Sequence, residues 1–489
     1  MTIRKEFSDI LGLIIIVAVT FILCIFNVHG LDIGRDEGVH AYAAKTLAFE
    51  GKYALKNGSD FLEFDRRIAV GPTVIIPTAW AYRTFGFSVA VTRIVPAVYF
   101  LLFILFFFIL IRRLYGNSVA FLTCLLVLSA QWPSMRELAL FNPIYRTLTG
   151  ESAALFFLVL SLLFWEKKYL SAFILGLAIL TKYQFALALV PLLLVRSGFL
   201  TRRVGNSLTL RAIFDVSLLT VASFTPLFLW FAYQYFNLGQ QGFLNQLGTY
   251  QNFSNQTFDL SFIRIKQNIV DKWMELNPTA LKVFFTLPAI IFGWVYTIRG
   301  KLHKEGLKLF LILFPTVWMV WYVFSRGYIR YEIPGLYFAV IFLSMFFVQC
   351  GFPTRRVEGT LTLTLRVFII TLLLSILLYG FYINFRESKI MEPKNSENMA
   401  LYINNNVLPS AKVITSELDY DIDLFLSSRV LYHTAAGVRD VASKGKYPEI
   451  PLDVKYILSK NNDPTFEKAL ENPIWQPVYK AGDWYLYGK

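Results

Sequence analysis

Apolar stretches of about 20 residues, the length a helix needs to cross hydrocarbon, recur along most of this chain. They restrict its fold more than any other feature. They lie near residues 10–29, 89–111, 118–133, 147–165, 213–236, 276–298, 307–325, 332–350 and 366–385. In lipid every backbone N–H and C=O must be satisfied within the segment, so each run is predicted as a helix. A further stretch, 169–196, is broken by Lys182, Tyr183 and Gln184. It reads as two short helices meeting at a polar elbow. The sum is about eleven spans. The predicted fold class is therefore mostly α, a polytopic transmembrane helical bundle. With 56% hydrophobic and 17% aromatic residues among 489, the chain does not read as an ordinary soluble enzyme. Its net charge of +14 does not imply a nucleic-acid partner, because the charge is sorted between loops.

That sorting sets the topology. With the N-terminus inside, the inner segments hold Arg4, Lys5, Arg112, Arg113, Lys167, Lys168, Arg196, Arg202, Arg203 and Arg211. Arg299, Lys301, Lys304, Lys308, Arg355 and Arg356 continue the series. The clusters fall at every second loop, as the positive-inside rule requires, provided that residues 68–85 do not cross. This segment carries Pro72 and Pro77 and is placed as a juxtamembrane or re-entrant helix on the outer face. No small-residue cleavage pattern follows the first apolar run, which reads as a retained span. Residues 30–88, a loop near 134–146, a long loop near 237–275 and everything after Glu387 then lie outside. Cys24, Cys124 and Cys350 sit in apolar runs without metal-ligand or disulfide spacing.

Two domains follow: 1–387 in the membrane, and 388–489 as a small soluble α/β domain outside the cytoplasm. The tail pattern predicts helix Glu397–Asn405, strand Lys412–Thr415, helix Asp421–Ser427, and strands Val430–His433 and Val454–Leu458. Lys480-Ala481-Gly482-Asp483 between Trp475–Tyr479 and Trp484–Tyr487 reads as a closing hairpin.

The candidate chemistry begins directly after the first run, at Asp36 and Glu37 within Gly34-Arg35-Asp36-Glu37-Gly38-Val39-His40-Ala41-Tyr42. An interfacial helix is predicted from this pair to a stop at Gly51. Acidic residues in a first helical turn are stabilised by the dipole, which alone accounts for them structurally. Carboxylates held half-desolvated beside a membrane also invite a functional reading.

The first outer loop resembles that of the GT-C glycosyltransferases, the polyprenyl-phosphate-sugar enzymes related to aminoarabinose transferase and protein O-mannosyltransferase. The resemblance rests on Asp36-Glu37 with Tyr42, Gly51-Lys52-Tyr53, Gly71-Pro72-Thr73, Phe85-Gly86 with Arg93, Arg112-Arg113-Leu114-Tyr115-Gly116, Gly150-Glu151 and Thr181-Lys182-Tyr183. It covers roughly residues 1–200 by motif order and the remainder by topology. It implies Asp36 as catalytic base with Glu37 beside it, an inverting reaction, and an integral protein of a bacterial or archaeal cell membrane whose active site and C-terminal domain face outward. Relatives often carry His-Pro-Pro or Glu-Lys-Pro-Pro where this chain has Phe64-Asp65-Arg66-Arg67-Ile68-Ala69-Val70-Gly71-Pro72, so Arg66 or Arg67 is expected to substitute as a phosphate contact.

Six cations are predicted on or near the outer side: Arg66, Arg67, Arg93, Lys182, Arg326 and Arg330. A departing polyprenyl phosphate needs its charge stabilised, and the guanidinium fork suits phosphate oxygens. Lys182 is an ammonium inside a span, costly unless used; the alternative is pairing with Glu151. Tyr42, Glu151, Tyr328 and Tyr331 would line the substrate groove. The glutamine-rich loop 237–275 is either an acceptor groove or a plain polar connection. His29 and His40 lack a second ligand at sensible spacing, so hydrogen bonding is favoured and no metal ligands are assigned. A divalent cation is the one cofactor left open.

The expected function is sugar transfer from a polyprenyl-phosphate donor to an acceptor hydroxyl on a lipid, polysaccharide or protein, in contact with membrane lipids. Two rivals stand beside it: a ligase or oligosaccharyltransferase moving a whole lipid-linked glycan, and a transporter or flippase.

Overall fold

The computed structural model describes residues 2–25, 32–129, 147–197, 210–257, 280–299, 305–325, 329–351, 394–416, 420–426, 431–434, 447–461 and 464–489, with isolated positions between them. Helix α1 (Thr2–Ile25) is followed by α2 (Arg35–Glu50), a hairpin of β1 (Ala54–Asn57) and β2 (Asp60–Glu63), α3 (Pro72–Phe85) and α4 (Val89–Tyr115). Then come α5 (Asn117–Ser129), α6 (Glu151–Leu163), α7 (Lys168–Thr181), a 3-10 turn over Tyr183–Ala188 and α8 (Leu189–Arg196). The long α9 (Leu210–Thr257) precedes α10 (Ala280–Arg299), α11 (Gly306–Phe324) and α12 (Ile333–Gly351).

Two of these helices, Val89–Tyr115 and residues 213–249 of α9, are long and apolar enough to cross a membrane by themselves. Shorter apolar helices include Ile10–Ile25, Asn117–Ser129, Glu151–Leu163, Lys168–Thr181, Gly306–Tyr322 and Ile333–Gln349. The elbow stands where the sequence put it, with α7 ending at Thr181 and the 3-10 turn starting at Tyr183. The last apolar run, 366–385, falls largely outside the described residues, as does the loop 134–146.

The membrane body is held by aromatic packing. Phe103 stacks on Phe107 at 5.2 Å and on Tyr337 at 5.9 Å, while Phe314 meets Phe338 edge-on at 4.8 Å. Phe100, Phe103, Phe107 and Phe108 follow one another at helical spacing and are fully buried, so one stripe of α4 forms the seam against its neighbours. Helices α7 and α9 approach closely because Gly176 has no side chain: a Cβ there would lie 2.2 Å from the Ser223 carbonyl oxygen.

Residues 237–257 are helical rather than the polar loop expected. Helix α9 bends at Gly239, whose φ of 67° breaks the helical run, and then continues. Gln, Leu and Asn side chains do not oppose that path once the glycine absorbs the turn. The hairpin β1–β2 is likewise unforeseen, with Gly58 in its turn at φ 61° and Leu55 opposite Leu62. Helix α3 is only 14 residues long and packs against α2 and α4.

The C-terminal part opens with α13 (Asn395–Asn406), then β3 (Lys412–Thr415), the short α14 (Tyr420–Asp423), β4 (Tyr432–His433), β5 (Val454–Lys460), β6 (Gln476–Ala481) and β7 (Trp484–Gly488). The sheet order is β4-β3-β5-β7-β6, with β3 parallel to both neighbours and β5-β7-β6 antiparallel. Gly482 at φ 58° makes the closing turn. Met399, Ala400 and Ile403 of α13 pack into the core with Val413, Leu458, Trp484 and Leu486, and Tyr402 stacks flat on Tyr479 at 3.9 Å.

Three separate chain segments meet tightly at Gly71. Its N–H donates to the Thr181 carbonyl at 3.0 Å, and a Cβ would lie 1.8 Å from the Leu180 carbonyl oxygen. Gly71→Ala is therefore expected to reach or exceed the upper end of the about 1–3 kcal/mol that overpacking costs. Gly248→Ala, where nothing lies within 4 Å, should be neutral or stabilising by up to about 1 kcal/mol. Melting temperatures of the two variants in detergent measure the contrast.

Candidate active site around the first interhelical loop

Helix α2 starts after Gly34, whose backbone is extended, and stops at Gly51, in the left-handed conformation at φ 75°. Asp36 and Glu37 occupy its first turn as the sequence suggested, but the structure gives them opposite surroundings. Asp36 is exposed. Every residue from Glu37 to Ala44 is buried.

Glu37 is taken by Arg93. The guanidinium donates from Nε to Oε1 at 3.1 Å and from Nη2 to Oε2 at 3.0 Å, and both side chains are 1% exposed. Arg93 also donates to the Val28 carbonyl at 2.8 Å and the Asp32 carbonyl at 3.0 Å. The fork thus ties the end of α1, the entry to α2 and the first turn of α4 together. Arg93 was expected on the donor phosphate and Glu37 at the reacting centre. The structure buries both and pairs them with each other.

The Gly-Pro-Thr, Gly-Glu and Thr-Lys-Tyr motifs converge, although 108 residues separate the first from the last. Thr73 and Thr181 share a hydroxyl hydrogen bond at 2.7 Å, and Tyr99 donates to the Thr73 carbonyl at 2.8 Å. Gly150, at φ 86°, faces Val70. Lys182 pairs with the Glu151 carboxylate and donates to the Thr149 carbonyl at 2.9 Å, with its ammonium 5.2 Å from the centre of the Tyr331 ring. Both members of the ion pair are buried, so of the two readings weighed for Lys182 the geometry supplies the pairing.

The segment before Gly71 carries the remaining arginines. Phe64 adopts φ 52°, an unusual conformation for a bulky residue that its surroundings must enforce. Its N–H donates to the Tyr53 carbonyl at 2.8 Å and its carbonyl accepts from Gln246 of α9 at 2.6 Å. Its ring packs against Tyr53 and Trp230. Arg67 folds back onto Asp65 through two bonds of 2.8 and 2.9 Å and lies 5.5 Å from the Tyr420 ring. Arg66 is half-exposed.

Tyr42 is not in an open groove. It is buried against Tyr420 at 5.4 Å, and burial pushes its hydroxyl well above the usual tyrosine range. His40 is buried and donates from Nδ1 to the Leu148 carbonyl at 2.7 Å, joining α2 to the segment before α6. Arg326 and Tyr328 lie outside the described residues, and of Arg330 only the backbone is described, in a 3-10 turn over Ile329–Glu332. Among the described residues no three His, Cys, Asp or Glu side chains gather into a metal-binding group.

Sequence reasoning did not single out Asp32. Burial and the nearby Asp421 carboxylate raise its pKa from 3.8 to about 6. Lys45 is equally prominent here: its ammonium donates to the carbonyls of Asp423, Leu424 and Leu426 at 3.3, 2.8 and 3.4 Å, and burial lowers its pKa.

The overall fold is shared with solved structures. ArnT from Cupriavidus metallidurans in the apo state superposes with a TM-score of 0.61 at 15% identity, over 99% of this chain and 98% of that one. The same protein bound to undecaprenyl phosphate gives 0.56 at 16% identity, over 98% and 97%. The Archaeoglobus fulgidus oligosaccharyltransferase in the apo form gives 0.58 at 12% identity, over 94% of this chain and 70% of that one. Both are members of the GT-C superfamily. This chain has the GT-C fold. No family model and no curated protein matches the sequence.

In this GT-C fold the Glu37–Arg93 pair is the element most easily tested. Arg93→Met leaves a buried carboxylate uncompensated, at a cost of about 3–5 kcal/mol. The double variant Glu37→Met/Arg93→Met should recover part of that loss, since no lone charge remains. Thermal unfolding of the two variants in detergent distinguishes a coupled pair from two independent losses.

Proposed function

We propose that this chain is a polytopic membrane glycosyltransferase of the GT-C type that moves a sugar from a polyprenyl-phosphate-linked donor to an acceptor hydroxyl at the outer membrane face. The carrying observation is the asymmetry of the acidic pair. On a helix sealed from Glu37 to Ala44, Asp36 presents its carboxylate to the open side at the helix start. It is presented on a backbone fixed by the Glu37–Arg93 fork beneath it.

In the proposed reaction Asp36 accepts the proton of the acceptor hydroxyl as that oxygen forms a bond to the anomeric carbon. The bond from that carbon to the phosphate oxygen breaks on the opposite face, polyprenyl phosphate departs as the monoester dianion, and configuration inverts. Arg66, half-exposed beside the strained Phe64, is the described cation best placed to meet the departing phosphate. Arg67 and Lys182 act indirectly: Arg67 orders the loop through Asp65, and Lys182 fixes the elbow through Glu151. A group whose carboxylate gains a proton in the transition state commonly contributes about 10²–10⁴-fold. Stabilisation of the leaving phosphate adds a separate electrostatic share.

The likeness to ArnT bound to undecaprenyl phosphate supports a polyprenyl-linked donor. The likeness to an oligosaccharyltransferase supports a second reading, in which a whole glycan moves. That neighbour has also been solved as a complex with Zn and sulfate. The chemistry above is derived from this chain's own side chains and routes no step through a metal.

Asp36→Asn should lower transfer by about 10²-fold or more while leaving binding of a polyprenyl-phosphate sugar within about threefold. Arg66→Ala should weaken donor use with the fold intact. Radiolabelled transfer and donor binding in nanodiscs measure both, and mass spectrometry of the product separates one sugar from an oligosaccharide. Undiminished turnover by Asp36→Asn would overturn the assignment.

A further inference from the structure

The C-terminal domain is locked onto the helix that carries the acidic motif, and one part of the lock is chemically unusual. Asp32, just before α2, and Asp421, in α14, both point at the same hydroxyl. The Ser396 Oγ lies 3.3 Å from Asp32 Oδ2 and 3.2 Å from Asp421 Oδ2. Ser396 also donates its backbone N–H to Asp32 Oδ2 at 3.2 Å, and the Ile33 N–H reaches Oδ1 at 2.9 Å. Lys460 donates to Asp421 Oδ2 at 3.1 Å. The second oxygen of Asp421 is buried and makes no hydrogen bond.

One hydroxyl carries one proton, so it can satisfy only one of two carboxylates. If both acids are ionised, two anions confront each other across a single donor in a buried site, which is costly. If Asp32 is protonated, its own O–H donates to Ser396 Oγ, and Ser396 donates to Asp421 Oδ2, which also accepts from Lys460. The chain of bonds is then complete. The other charges around the pair are already committed. Arg93 holds the Asp32 carbonyl and Glu37, Lys45 holds the carbonyls of Asp423, Leu424 and Leu426, and Asp423 pairs with His433 at 2.7 Å.

We propose that Asp32, Ser396, Asp421 and Lys460 form a proton-dependent latch that seats the C-terminal domain on α2, and that these residues position Asp36 for reaction. The second half of this statement rests on the reading of Asp36 given above; the latch itself does not.

Gly38 shows why seating matters to α2. A Cβ there would lie 2.9 Å from the backbone of Asp421, so the domain rests directly on the first turns of the helix. The direction of the pH dependence follows from the raised acid. The seated state binds the proton more tightly than the unseated one, so seating is strongest at low pH and weakens as pH rises through about 6. A rise from 3.8 to about 6 sets a ceiling on the order of a hundredfold for the change in the seating equilibrium.

The test uses the full-length protein in nanodiscs, with hydrogen–deuterium exchange of residues 394–426 and 35–50 followed from pH 5 to 7.5 and corrected for intrinsic rates. Wild type should lose protection as pH rises, by about tenfold across this range, the rest of the ceiling falling between pH 3.8 and 5. Asp32→Asn should hold the low-pH level throughout. Lys460→Met should move the midpoint upward, because the cation that favours ionised carboxyls is gone. Gly38→Ala should lower protection at every pH without moving the midpoint, as a purely steric change would. A flat wild-type profile, or an unmoved midpoint in Lys460→Met, overturns the latch. Sugar transfer measured on the same samples should follow protection across pH. Protection that changes while transfer stays level overturns the positioning role and leaves the latch standing, and loss of transfer in Asp36→Asn bears separately on the catalytic reading.

Discussion

The buried fork between Arg93 and Glu37 is the interaction on which the rest of this architecture depends. Neither charge could stay in that place alone: an unpaired ion at 1% exposure would cost several kcal/mol. Together they fix the angle between the first long helix, the acidic helix and the start of α4. Arg93 supplies four donated bonds from one rigid plane, something a lysine cannot do. With that corner fixed, the backbone that carries Asp36 is held by its neighbour.

A second corner forms where the first loop meets the elbow. Gly71, Gly150 and Lys182 come from three distant parts of the chain and meet without room for additional atoms. One buried ion pair, Lys182 with Glu151, thus stands at the Gly71 end of the loop that bears Arg66 and Arg67. At its other end the strained Phe64 is held by Gln246 and Trp230 of α9. Strain of this kind persists only where the surroundings over-determine the backbone.

How much of this was legible depended on the range of the interaction. Apolar runs announced the helices, and Gly51 announced the end of α2. The Val and Ile run at β3 and the Ala-Gly-Asp turn before β7 announced most of the C-terminal sheet. The Asn57-Gly58 dipeptide was a readable hairpin signal, obscured because its flanking strands are short and mix charge with aromatics. Residues 237–257 looked like a loop because glutamine and asparagine are polar. Polarity alone does not stop a helix. The pairing of Lys182 with Glu151 was foreseeable from two lone charges in apolar surroundings. That of Glu37 with Arg93, and the meeting of Asp32 with Asp421, joins positions that no single sequence relates. The tasks expected of Arg93, Glu37 and Tyr42 rested on chain order, whereas burial decides what each side chain can touch.

The docking of the C-terminal domain also bears on the order of assembly. The ammonium of Lys45 finds its carbonyls 379 residues downstream, and Asn57 exchanges two hydrogen bonds with His433, 376 residues away. Contacts of such separation are the slowest to form, and a chain emerging from the ribosome has no access to them until the segment 379 residues beyond Lys45 has been made. The acidic helix therefore waits, incompletely packed, until residues 423–433 have emerged. The first loop is finished only when the segment around residues 423–433 has folded and come to rest upon it.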